Sequence, residues 1–212
     1  MTVDGEPASL GDKIDPTTAV VAVDGVRLPL DPDTRTWLLY KPTGVVSTME
    51  DPHGRPVVTD LVPPEPVTKP VGRLDLHSEG LMLLTNDGDL ALRVTHPRYG
   101  IEKVYQARTL EQATTKHLQS LMDGVELDDG RARATRARIV SSYAGKSIIE
   151  LTMTEGRKRE VRRMLETVGL TVDRLVRVSI AGITDRTLTP GAYRALTIDE
   201  IRSIYKLAEE AT

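Results

Sequence analysis

The chain has 212 residues, 39% hydrophobic and 28% charged, with a formal net charge of −3, four histidines and no cysteine. That fits a soluble globular protein with one sizeable core, or a small module beside a larger domain. It excludes disulfides, thiolate metal sites and cysteine nucleophiles.

His53, His77, His96 and His117 are scattered without metal-ligand spacing, and no apolar stretch approaches the roughly 18 residues of a membrane span. The polar, acidic run Met1–Leu10 is no signal peptide. A cytoplasmic, metal-free protein is the expectation.

Residues 1–31 read as short strands and turns, with Asp24-Gly25 closing the β-rich run Ala19–Val23. The segment is too short to bury a core alone. It reads as the end of a module whose beginning is missing. Asp31-Pro32-Asp33 reads as a linker. Trp37–Pro42 is predicted to be a buried strand, and Val45–Thr48 to continue the β pattern. Residues 51–70, rich in proline and aspartate, read as a long ordered loop.

Leu81–Thr85 is a short apolar strand between Gly80 and Asn86-Asp87-Gly88, followed by a short helix over Asp89–Val94 that ends before Pro97. Ile101–Arg108 alternates as a strand should, Leu110–Met122 is helical, and Arg133–Val140 and Lys146–Thr154 are further strands. Lys158–Val168 is an amphipathic helix, with Val161, Met164, Leu165 and Val168 at i, i+3, i+4 and i+7 and Gly169 placed to end it. Val172–Ile180 is a strand and Thr197–Glu209 a closing helix. Strands dominate and helices fall irregularly among them, which implies an α+β fold with a mixed or antiparallel sheet.

Charge is segregated along the chain. Arg157-Lys158-Arg159-Glu160-Val161-Arg162-Arg163 is strongly basic, and Arg131–Arg138 carries four arginines in eight residues. Local charge governs phosphate binding, so the acidic total does not exclude nucleic acid. Arg157, Lys158 and Arg159 fall at the predicted helix N-terminus, where cations oppose the macrodipole, and an anion docking there would offset that cost. A solvated charged face is the plainer reading.

Asp75 sits on a glycine-bounded stretch, Gly72 to Gly80, between apolar segments. A carboxylate on such a loop can be desolvated and aimed, although by spacing alone a turn or cap aspartate is the commoner reading. In a chain without phenylalanine, Tyr105 is a scarce ring, able to stack on a splayed-out base or simply to fill the core. No serine–histidine–aspartate spacing and no phosphate-binding glycine loop is present.

Four motifs then stand in one order: Val71-Gly72-Arg73-Leu74-Asp75 through Thr85-Asn86-Asp87-Gly88, preceded by Lys41-Pro42-Thr43-Gly44-Val45-Val46 and followed by Lys103-Val104-Tyr105 and Glu155-Gly156-Arg157 through Met164. Together they resemble the signature of the small-ribosomal-subunit-type pseudouridine synthases, over about residues 36–200. Residues 1–31 resemble the back half of the small RNA-binding module that precedes such catalytic domains, which sets expected boundaries of 1–31 for that remnant and 36–212 for the catalytic domain. Glu160, in Arg-Glu-Val-Arg-Arg, is similar to the branch acting on large-subunit rRNA, the synthase B type.

The resemblance implies a mixed, mainly antiparallel sheet with flanking helices and a central cleft. It implies isomerisation of uridine to pseudouridine in ribosomal RNA, with no metal and no small-molecule cofactor. Asp75 would attack the anomeric carbon or remove the ribose 2′ proton. Arg162 would pair with Asp75 and keep it ionised and oriented, and Tyr105 would stack on the target base. Arg73, Arg157, Lys158 and Arg159 would contact phosphate. Two other readings stand beside this one: a non-catalytic RNA-binding ribosome assembly factor that keeps the fold, and a metal-dependent nuclease, which the lack of clustered acidic residues disfavours.

Overall fold

The computed structural model describes residues 1–14, 19–28 and 33–210; Asp31 and Pro32 of the expected linker lie outside the described residues. Near the N-terminus, β1 (Thr2–Val3), β2 (Glu6–Pro7), β3 (Val21–Val23) and β4 (Val26–Leu28) form a small antiparallel sheet in the order β2-β1-β3-β4. Asp4-Gly5 and Asp24-Gly25 form its hairpin turns, all four residues at positive φ, the backbone that matches strand twist in two-residue turns.

The rest of the chain runs β5 (Thr36–Lys41), β6 (Lys69–Val71), β7 (Glu79–Thr85), α1 (Gly88–Thr95), β8 (Lys103–Thr109), α2 (Thr115–Asp123), β9 (Val125–Leu127), β10 (Gly130–Ala132), β11 (Arg136–Tyr143), β12 (Lys146–Met153), α3 (Glu160–Thr167), β13 (Val172–Ile180), β14 (Tyr193–Ala195) and α4 (Ile198–Glu210). Eight strands make one sheet, ordered β11-β12-β8-β13-β7-β5-β14, with β6 also paired to β7; β9 and β10 form a separate hairpin. The fold is therefore α+β with a mainly antiparallel sheet, as expected.

All seven residues of β7 are buried. Leu81 and Leu83 pack with Leu38, Leu90 and Ile204 under α1 and α4, whereas Met82 and Leu84 pack with Leu39, Leu121 and Leu165 under α2 and α3. Both faces are covered, so the strand reads as a continuous apolar run rather than an alternation. Each fully buried leucine contributes about 1.5–3 kcal/mol.

The pairing of β7 with β13 is parallel, Val176 opposite Glu79 and Arg177 opposite Gly80. Gly80 has φ +111°, and a Cβ there would lie 2.3 Å from the Arg177 carbonyl oxygen. Glycine is what lets the two backbones approach at this point.

Some expectations need correction. Val45–Thr48 forms no strand; Val46 makes a single bridge to Val57. α2 starts at Thr115 because the Thr114 hydroxyl accepts the His117 N–H and caps the helix. α3 starts at Glu160, so Arg157, Lys158 and Arg159 precede its first turn, and an acidic residue opens it. The dipole penalty inferred for those three cations is accordingly smaller than expected. The β9–β10 hairpin was not predicted.

Candidate active site

Asp75 lies on the loop that joins β6 to β7, and five consecutive carbonyls of that loop are held from outside it or by its own turn. The Leu74 carbonyl accepts from Ser47 Oγ at 2.7 Å, and Ser47 Oγ in turn accepts the Leu74 N–H. The Asp75 carbonyl accepts from Lys41 Nζ at 3.2 Å and from the Ser78 N–H. Leu76 accepts from the Gly44 N–H, His77 from Arg162 Nη2 at 2.9 Å, and Ser78 from Lys41 Nζ at 2.8 Å. Leu74 itself is buried in the core. The Asp75 side chain is thus presented from a backbone with little freedom to rearrange, which is what positioning a reacting group requires.

Lys41, at the end of β5, is fully buried and also donates to the Pro42 carbonyl. Burial pushes its ammonium down to about 8, Asp75 and Glu79 oppose that shift, and Arg177 adds to it. It was quoted in the sequence as part of a motif, without a role. Its task here is to clamp the loop.

Arg162, on α3, makes no ion pair with Asp75 within 4.0 Å, contrary to expectation. Its guanidinium spans the Val172 carbonyl at 3.1 Å and the His77 carbonyl. Burial lowers its pKa, Arg159 adds to that, and the field of Asp75 opposes it. Arg162 therefore holds the backbone two residues from Asp75, and the two charges interact at longer range.

A cleft of about 150 Å³ opens over this loop. Asp75, Tyr105, Arg73, Arg157, Lys158 and Arg159 all line it, as do Ser78 and Glu160. Six of the seven residues singled out by sequence share one concavity, and the seventh, Arg162, holds its floor. Tyr105 is 8% exposed, packs in the core and forms part of the cleft wall.

The four basic candidates differ. Arg157 is spent on the protein: it ion-pairs with Glu155 and Glu160 and donates to the carbonyls of Gly130 and Arg131, tying the segment before α3 to the β9–β10 hairpin. Arg73, Lys158 and Arg159 are exposed and make no side-chain hydrogen bond or ion pair among the described residues, so they are available to an anion. Arg159 has φ +51°, a conformation that costs a non-glycine residue about 1–2 kcal/mol and that places it at the cleft edge. The other basic run is largely consumed, Arg136 by Glu102 and Arg138 by Glu150.

Sequence reasoning overlooked Glu160 as a buried group. It accepts the Arg157 N–H, and burial raises its pKa against the pull of Arg157. It also overlooked Lys103 and Arg177, both buried beside Tyr105.

The chain matches the family model for RNA pseudouridylate synthase over residues 35–167. It is 44% identical over 210 residues to an uncharacterized RNA pseudouridine synthase of Mycobacterium leprae, covering 96% of this chain and 82% of that one. It is 42% identical over 192 residues to the ribosomal large subunit pseudouridine synthase B of Bacillus subtilis, covering 89% and 78%. A crystal structure of a pseudouridylate synthase superimposes with a TM-score of 0.72 at 26% identity, covering 96% and 87%. The chain belongs to the RNA pseudouridine synthase family. It is an isomerase that acts on RNA.

Proposed function

We propose that this enzyme converts a specific uridine of ribosomal RNA, in the large subunit, to pseudouridine in the cytoplasm, with Asp75 as the reacting carboxylate. The observation that carries the reading is the convergence of Asp75 and Tyr105 on one cleft whose floor is pinned by Lys41 and Arg162. The similarity to a synthase named for the large subunit, together with Glu160, supports the choice of subunit. Residues 36–212 are assigned as the catalytic unit, and residues 1–31 as part of an RNA-binding module.

The reaction is an isomerisation. The bond from C1′ to N1 breaks, the detached uracil turns, a bond from C1′ to C5 forms, and the C5 proton is lost while N1 gains one. Atoms balance without a cofactor. Asp75 either attacks C1′ or removes the 2′ proton to give a glycal; both routes need its carboxylate at the sugar. Tyr105 stacks on the base once it has left its helix, a step that costs a few kcal/mol. Arg73, Lys158 and Arg159 offset that cost through phosphate contacts.

The test is complementation of cells lacking the gene, with pseudouridine mapped across all rRNA. Wild type restores a large-subunit site and Asp75→Asn does not. Restoration by Asp75→Asn would remove the carboxylate from the mechanism. No restored site with wild type would favour a non-catalytic assembly factor.

A further inference from the structure

Behind Tyr105 lies a second compartment of about 240 Å³, which shares Arg73, Tyr105 and Arg157 with the cleft. Its charged lining is mostly basic, four cations to the single carboxylate of Glu155. Lys103 and Arg177 face it, 8% and 3% exposed. Lys103 Nζ donates to the Thr154 carbonyl at 3.3 Å. Arg177 donates through Nε to the Leu81 carbonyl at 2.6 Å and through Nη1 to Tyr105 Oη at 3.5 Å. Arg177 Nη2 is buried with no partner.

Neither cation has a carboxylate within 4.0 Å among the described residues. The acidic side chain in the lining, Glu155, is exposed and already paired with Arg157. Burial, reinforced by Arg177 and only partly opposed by the more distant Glu160, pushes Lys103 down to about 8. Two like charges taken out of water and set near each other are unfavourable unless an anion joins them. The β8–β13 ladder pairs through backbone groups at these positions, and each cation gives the protein little beyond one carbonyl, Thr154 for Lys103 and Leu81 for Arg177, so Lys103 Nζ keeps further donors and Arg177 Nη2 stays unused.

We infer that this compartment is an anion subsite that takes a backbone phosphodiester of the RNA beside the target uridine, held by Lys103 Nζ and Arg177 Nη2. Tyr105 then stands between base and phosphate, one side facing each. The inference rests on the RNA-isomerase reading, and the continuity of the two spaces through Tyr105 and Arg73 favours a phosphate of the bound RNA over a free one.

The experiment measures binding of a 20-nucleotide single-stranded RNA of mixed, uridine-containing sequence to the full chain between 50 and 200 mM KCl. Wild type is compared with Lys103→Met, Arg177→Met and the surface control Lys116→Met. Losing one phosphate contact flattens the log–log salt slope by about 0.7, so the wild-type advantage over Lys103→Met shrinks about 2.6-fold across that range. Lys116→Met keeps the wild-type slope. Lys103→Met melts at or above the wild-type temperature, because it removes an unpaired buried cation; Arg177→Met serves as a second variant where it folds.

An unchanged slope in Lys103→Met overturns the subsite, as does a large fall in its melting temperature, which would make Lys103 a structural residue. Inorganic phosphate supplies the last arm. If it stabilises wild type but not Lys103→Met while the RNA slopes stay equal, the site takes free phosphate and the inference is wrong. Pseudouridine formation is read separately: a subsite without isomerisation refutes the proposed substrate, and isomerisation with equal slopes refutes the subsite.

Discussion

Replacing Lys41 with methionine separates what holds the fold from what holds the reaction. The lysine donates to the carbonyls of Pro42, Asp75 and Ser78. Asp75 keeps the Ser78 N–H in the variant, so two carbonyls lose their clamp, at about 1–3 kcal/mol each. Against that, the fold holds Lys41 at about 8 rather than 10.5, a penalty of about 3 kcal/mol on its charged form that methionine removes. The two effects nearly cancel, and urea unfolding should place the variant within about 3 kcal/mol of wild type. Activity has no such compensation. The loop carrying Asp75 loses the group that binds two of its carbonyls, and a misplacement near 1 Å costs about a hundredfold in rate. Single-turnover release of tritium from RNA labelled at uridine C5 measures this directly. Turnover within threefold of wild type would refute the claim that Lys41 positions Asp75.

Three further outcomes follow from the same geometry. Lys41 and Lys103 both sit at about 8 in the folded chain and near 10.5 in the unfolded one, so between pH 8 and 10 the unfolded chain binds more protons and stability rises with pH. Above that window Tyr40 and Tyr205, whose hydroxyls burial holds above the usual range, act in the opposite sense; urea melts at pH 7.5 and 9.5 check the rise, which a Lys41→Met, Lys103→Met double variant should lose. Arg162→Ala frees the carbonyls of His77 and Val172 and should cut turnover at least a hundredfold, with about 2–6 kcal/mol of stability lost; a variant that keeps normal turnover would show that the guanidinium is dispensable. Gly80→Ala drives a methyl into the Arg177 backbone at a positive φ and should lower stability by about 3 kcal/mol or more, seen as a fall in melting temperature while Gly44→Ala, with open space around it, loses only the smaller strain of its φ.

Elements with a strong pattern could be read before any coordinates. Val172–Ile180 was bounded correctly although two bulges against β8 interrupt its alternation, and the apolar run Leu81–Thr85 marked a strand because both its faces are covered. Asp75 and Tyr105 were singled out through the company they keep rather than by local spacing, and they line one cleft. Lys41 and Lys103 stood in the motifs without a role, and Arg177 escaped notice, because a cation in a sequence reads as surface, and only three-dimensional placement reveals that these are buried. The start of α3 was misplaced because the apolar stripe of a helix does not report where its first turn begins; that depends on the left-handed Arg159 and on Glu160 reaching back to the Arg157 N–H. The partner of Arg162 was missed for a related reason. A backbone carbonyl is present at every residue, so nothing in the sequence distinguishes the one that an arginine will choose.

The parallel junction between β7 and β13 has a mechanical consequence. On one side, β12, β8 and β13 are laced by long antiparallel ladders, and on the other β5 and β7 are laced likewise. Between these two halves, the described pairing is Val176 with Glu79 and Arg177 with Gly80. Side chains brace that short ladder: Arg177 Nε donates to the Leu81 carbonyl and Arg174 ion-pairs with Glu79. The Asp75 loop enters β7 at that ladder, and Tyr105 and Arg177 flank it. The loop carrying Asp75 therefore rests on a seam held by side chains as much as by backbone pairing, and a change at Arg174 or Arg177 reaches the cleft directly.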